Sequence, residues 1–178
     1  MGRILSLSAA TIATIFAAIT VNGAIAGNSG ANTPTTADSP SGLPVPRFVS
    51  LRKDEVLARF GPSFDYPVAY KFNQAGLPLK VIAEDRDNIW RRVEDSDGSR
   101  MWIHRAMLAD NENAVVMSED TILRSSPDTH ARGRARLTKG VVTRIEECEN
   151  DWCQVRAGDY RGWLPRHELW GAPITAKL

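Results

Sequence analysis

Tyr160-Arg161-Gly162-Trp163-Leu164, near the end of this 178-residue chain, has an upstream counterpart in Ser99-Arg100-Met101-Trp102-Ile103. Working outward, Asn150-Asp151-Trp152-Cys153-Gln154-Val155 answers Asn88-Ile89-Trp90-Arg91-Arg92-Val93. Lys139-Gly140-Val141 answers Ala75-Gly76-Leu77, and Thr121-Ile122-Leu123-Arg124-Ser125-Ser126-Pro127 answers Val56-Leu57-Ala58-Arg59-Phe60-Gly61-Pro62. The order is kept while the offset shrinks from about 65 residues at the Pro pair to about 61 at the last Trp pair, so the second copy has shorter loops. A chain written twice in units of about sixty residues folds as two small domains.

Each unit reads as a series of short strands. Val56 to Arg59 and Ile122 to Arg124 end at Pro-containing turns. Leu77 to Ala83 and Val141 to Glu146 are β-branched and half-alternating. Trp90 to Val93 and Trp152 to Val155 follow turns at Asp87-Asn88 and Asn150-Asp151. Met101 to His104 and Trp163 to Leu164 complete the set, before one helical turn at Arg105 to Leu108 and at Arg166 to Leu169 and a last edge strand. No window carries a long stripe of helical period. The expectation is all-β: two tandem small β-barrels, each of about five short strands with a terminal 3-10 turn.

These residues carry a resemblance. The order x-L-x-R-x-x-P, a Gly before a β-branched run, N/D-x-W-x-x-V, then G-x-x-G-W-L/I resembles the bacterial SH3 (SH3b) domain, in tandem from about Val49 to Gly171. With the leader described next, the arrangement is similar to a group of proteobacterial exported SH3-like proteins. The resemblance implies SH3b-like domains at 47–110 and 111–172, a tail at 173–178, and a non-enzymatic binding module for a peptide or peptidoglycan stem. The alternative is a structural or adaptor protein that binds an envelope protein partner.

The ends fit export. Arg3 precedes an apolar run from Ile4 to Val21, and Ala24-Ile25-Ala26 offers a small-x-small cleavage site, so residues 1–26 read as a signal peptide. The run is interrupted by Ser and Thr, which makes it a poor permanent span. Residues 27–46, rich in Ser, Thr, Asn, Gly and Pro, read as a disordered linker. The expected location is periplasmic or secreted, with no membrane span after cleavage. The formal net charge is +1 and Arg3 is the leader's only charged residue, so the remainder is formally neutral and no nucleic-acid partner is expected.

Chemistry-bearing residues are few. A two-residue turn at Asn150-Asp151 sets Cys148 opposite Cys153, close enough for a disulfide in an oxidising compartment. Simple alternation puts Cys148 on the wrong face relative to Ile145, which a β-bulge corrects. The competing readings are a redox or metal pair, or a cysteine nucleophile with His104, His130 or His167 as base. The residues standing in the first copy at these places read as Asp85 or Arg86, and Arg91. No metal site and no cofactor is expected, and the clustered acids fall at turns.

The aromatic residues are the better lead. Trp90, Trp102, Trp152 and Trp163 hold matched positions, serving either the core or a shallow groove. Phe60, Phe64, Tyr66 and Tyr70 fall in the first unit's long loop, where an SH3 fold carries its specificity loop, while the second unit has Ser125, Thr129, Arg132 and Arg134 there. The first unit is therefore favoured as the binder, with Tyr66, Trp90 and Trp102 as the groove candidates. Arg91, Arg92 and Arg100 stand nearby, to pair with an acidic ligand or to solubilise a face.

Overall fold

The structure is a computed structural model and describes residues 39–173. The signal-peptide reading of 1–26, most of the linker and most of the tail lie outside the described residues. The first unit runs β1 (Arg47–Leu51), β2 (Val56–Arg59), β3 (Val68–Phe72), β4 (Pro78–Glu84), β5 (Trp90–Glu94), β6 (Arg100–His104), a 3-10 turn (Arg105–Met107) and β7 (Leu108–Asp110). The second repeats it as β8 (Asn113–Val116), β9 (Thr121–Arg124), β10 (Gly133–Leu137), β11 (Val142–Glu149), β12 (Trp152–Ala157), β13 (Tyr160–Pro165), a 3-10 turn (Arg166–Glu168) and β14 (Leu169–Trp170).

The two sheets have the same order, β3-β2-β6-β5-β4-β1-β7 and β10-β9-β13-β12-β11-β8-β14. This is the expected all-β pair of tandem SH3-like units, with seven strands in each sheet. The additions are the entry strands β1 and β8 and the loop strands β3 and β10. Only Phe72 of β3 is buried, while Val68 and Tyr70 at the alternate positions stay exposed, so the strand is anchored to the core at one end only. Tyr70 thus belongs to a strand, paired with Ala58, and not to the long loop.

Each barrel closes on its own small core. Leu51, Val56, Leu79, Val81, Val93 and Ile103 fill the first, and Val116, Leu123, Cys153, Val155 and Leu164 the second. The bulge expected before Cys148 is present, between Ile145 and Glu147, and its counterpart lies between Val81 and Ala83. At Gly162 an added Cβ would lie 2.5 Å from the Arg124 carbonyl oxygen, so β13 approaches β9 as only glycine permits.

The two barrels pack against each other within one compact unit. The Trp170 ring meets Phe48 edge-on at 5.3 Å, with Lys80 Nζ 4.8 Å from its centroid. Asn111 links the units: its Oδ1 accepts from Ser50 Oγ at 2.7 Å and its Nδ2 donates to the Gly171 carbonyl at 2.7 Å.

Part of the segment read as linker is ordered. Ser39 and Ser41 donate to Glu84 through both hydroxyls and the Ser41 amide, at 2.7 to 2.9 Å. Composition does not reveal this, because the acceptor lies more than forty residues away.

Candidate functional site

Register, rather than residue counting, identifies the matched positions. Val93 pairs with Val81 and Val155 with Ile145; one step beyond each bulge, Glu84 pairs with Arg91 and Cys148 with Cys153. The counterpart of Cys148 is therefore Glu84, not Asp85 or Arg86. The first hairpin is longer, with Asp85 Oδ1 accepting from the amides of Ile89 and Trp90 and Asn88 at φ 57°. The second is the expected tight turn, with Asn150 at φ 51° between Glu149 and Trp152.

The chemistry at this step differs between units. The Cys148 and Cys153 sulfurs are bonded at 2.06 Å, so neither is a free thiol or a nucleophile. Glu84 is fully buried, with Arg47 Nη2 at 2.7 Å and Arg91 Nε at 3.0 Å. Burial alone would raise its pKa, but the bonds from Ser39, Arg47 and Ser41 outweigh it and hold the carboxyl at about 2. Of the nearby arginines, Arg91 is thus spent inside the fold, Arg100 pairs with Glu94, and Arg92 is exposed.

The aromatic end of each barrel forms where the start of β5 meets the end of β6, and the start of β12 the end of β13. In the first unit Trp90 sits opposite His104, their rings 5.4 Å apart. The loop after β2 lays Phe64 over both: 4.9 Å from Trp90 edge-on, and 5.6 Å from His104 in a stack. Arg59 sits 5.6 Å above the Phe64 ring and donates through Nη1 to the Tyr66 carbonyl at 2.6 Å. The Tyr66 ring lies against Gly61, where any Cβ would strike it at 2.5 Å. The loop is thereby held closed.

Among the sequence candidates, Trp90 is buried at 5% exposure beneath Phe64, Trp102 is half-buried beside Arg59 and Arg92, and Tyr66 is exposed. Arg59 is the common neighbour: it pairs with Trp102 across the strands and holds the Tyr66 carbonyl. Trp90 joins this group through Phe64.

The second unit leaves the same place open. Trp152 sits opposite Pro165, and Thr129 stands where the first unit has Phe64. A hollow of about 470 Å³ remains, lined by Thr129, Asp151, Trp152, Pro165, Arg166 and His167. Trp152 is half-buried, while Trp163 is buried at 8% exposure. The buried and half-buried Trp thus exchange places between units. The sequence carries no positive signal for this hollow, because the absence of an aromatic residue at Thr129 is what opens it.

The profile of the bacterial SH3 domain matches residues 52–110 and again 118–171. No curated protein matches the sequence. Among solved structures, those of NlpC2 and NlpC1 from Trichomonas vaginalis are similar at 12% and 10% identity, with TM-scores of 0.32 and 0.33. The alignments cover 70% and 77% of this chain and 48% of each of those chains, so it spans about half their length. At that depth the likeness carries no functional weight.

Proposed function

Because the chain belongs to the bacterial SH3 domain family, twice in tandem, we propose that it is an exported binding module of the cell envelope, which takes an extended peptide segment at the Trp152 hollow. The observation that supports this reading is the pair of matched aromatic sites. In the first unit the place is filled by the protein's own Phe64. That ring acts as a template: the open copy accommodates an apolar or ring-bearing side chain against Trp152 and Pro165, with Asp151 and His167 beside it for polar contacts. Peptidoglycan stems and segments of envelope proteins are both sources of such a peptide. Recognition uses packing and hydrogen bonds, with no bond made or broken. In the first unit, Tyr66, Trp90 and Trp102 remain the groove candidates, and Trp90 becomes reachable when Phe64 swings away.

Pull-down of the purified protein with insoluble peptidoglycan tests this reading. Retention by wild type that is lost in a folded Trp152→Ala variant and kept in Trp90→Ala assigns the second unit. Absence of wild-type retention sinks the wall reading and turns attention to a protein partner.

A second reading has its own observation. Phe60, Phe64, Tyr66, Val68 and Tyr70 are all 44% exposed or more and lie within one stretch of the first unit. Such a patch suits an adaptor that docks on another envelope protein.

A further inference from the structure

A second cavity lies in the first unit, and none of Phe64, Trp90 and His104 lines it. It has a volume of about 350 Å³ and is lined by Arg47, Arg52, Arg91 and Arg105, by Leu43, Val49 and Leu108, and by one exposed acid, Asp110. Four guanidinium groups on one small cavity are a concentration of like charge. Glu84 offsets only part of it, because Arg47 and Arg91 already share that carboxylate. Arg52 and Arg105 are exposed, and their side chains have no hydrogen-bond or salt-bridge partner among the described residues. Burial lowers the pKa of Arg91, and the like charges of Arg47 and Arg105 add to that against the pull of Glu84. Arg91 thus feels both its burial and like charge from Arg47 and Arg105, and an anion in the cavity adds a counter-charge.

The second unit does not build this cavity. At the matched positions it has Glu112, Met117, Cys153 and Arg166, which leaves one arginine of the four. The feature is therefore a property of the first unit and not of the shared fold.

We propose that this cavity binds a carboxylate carrying a small aliphatic group, as at the C-terminal end of a peptide. Arg52 and Arg105 hold the carboxylate, since a guanidinium fork matches its two oxygens. Leu43, Val49 and Leu108 receive the aliphatic part, which a bare inorganic anion would leave unfilled.

The test uses the intact protein and three probes, N-acetylalanine, its uncharged amide and inorganic phosphate, followed by backbone amide shifts. N-acetylalanine is expected to move the Arg105 and Leu108 signals saturably, and the amide is not. Arg52→Gln and Arg105→Gln, both at exposed positions, should each weaken binding by about tenfold. Arg134→Gln, at another arginine-bordered surface of the second unit, should leave it unchanged. The proposal is overturned if N-acetylalanine shows no saturable binding, if Arg134→Gln weakens it equally, or if phosphate alone binds.

Discussion

Glu84 faces Arg91 across β4 and β5, and Cys148 faces Cys153 across the matching β11 and β12. One fold has fastened the same step of its sheet in two ways. In the first unit a buried ion cluster also recruits Ser39, Ser41 and Arg47, and so ties the entering chain to the barrel. In the second, a covalent bond closes a tight turn and recruits nothing. The aromatic ends diverge in parallel, with a closed site under Phe64 and an open one beside Thr129. The lesson is that the barrel tolerates exchange of its fasteners, while each exchange changes which conditions the unit withstands and which surface it offers.

The sharpest way to break this comparison is Glu84→Gln. It strands Arg47 and Arg91 without a counter-charge, and breaking a buried pair from one side costs about 3 kcal/mol. Urea unfolding followed by first-unit resonances is expected to show that loss, with second-unit resonances little changed. Replacing Cys148 with Ser and the buried Cys153 with Ala should cost less, about 2 kcal/mol for the lost cross-link, because the closed loop is short. That loss should appear in the second unit, and reductant should reproduce it in the wild type while leaving Glu84→Gln's deficit unaltered.

Acid separates the units by the size of the effect, with the same sign in both. The Glu84 carboxyl sits at about 2 in the fold, below its ordinary 4.5. A depressed carboxyl contributes stability that is fully present above the ordinary value and is lost as pH falls toward the folded one. First-unit stability should therefore decline between about pH 4.5 and 2, and Glu84→Gln should flatten that decline. In the second unit the lowered acids, Glu146 and Asp128, lie at the surface, where water screens their partners, so its slope should be shallower.

The smallest expected stability effect is at Phe64. Phe64→Thr removes the contacts with Trp90 and His104 and the Arg59 cation-π contact, worth about 1 kcal/mol together at an exposed site. Its larger consequence is structural: Trp90 should become accessible to a fluorescence quencher to the extent that Trp152 already is.

Much of this was legible in the chain. The Trp spacing and Gly-punctuated strands announce two β-barrels, and the misfit of Cys148 with Ile145 announces the bulge that the register contains. What escaped has a common physical cause. Strand β3 buries only Phe72 and leaves Val68 and Tyr70 of the same face exposed, so its apolar residues do not mark a core face. The true counterpart of Cys148 was hidden by a longer first turn, which register resolves and counting does not. The Ser39 and Ser41 bonds to Glu84 join residues remote in sequence. Phe64 reads in sequence only as one aromatic of the long loop; its placement over Trp90 makes it a lid.

The most direct test of the account is a titration of the intact protein with N-acetylphenylalaninamide, read at the indole N–H resonances. It mimics the ring that fills the first site. The account predicts that the Trp152 signal moves saturably while that of Trp90 stays still, and that Thr129→Phe abolishes the response. A shift confined to Trp90, or a Trp152 response that survives Thr129→Phe, would contradict it.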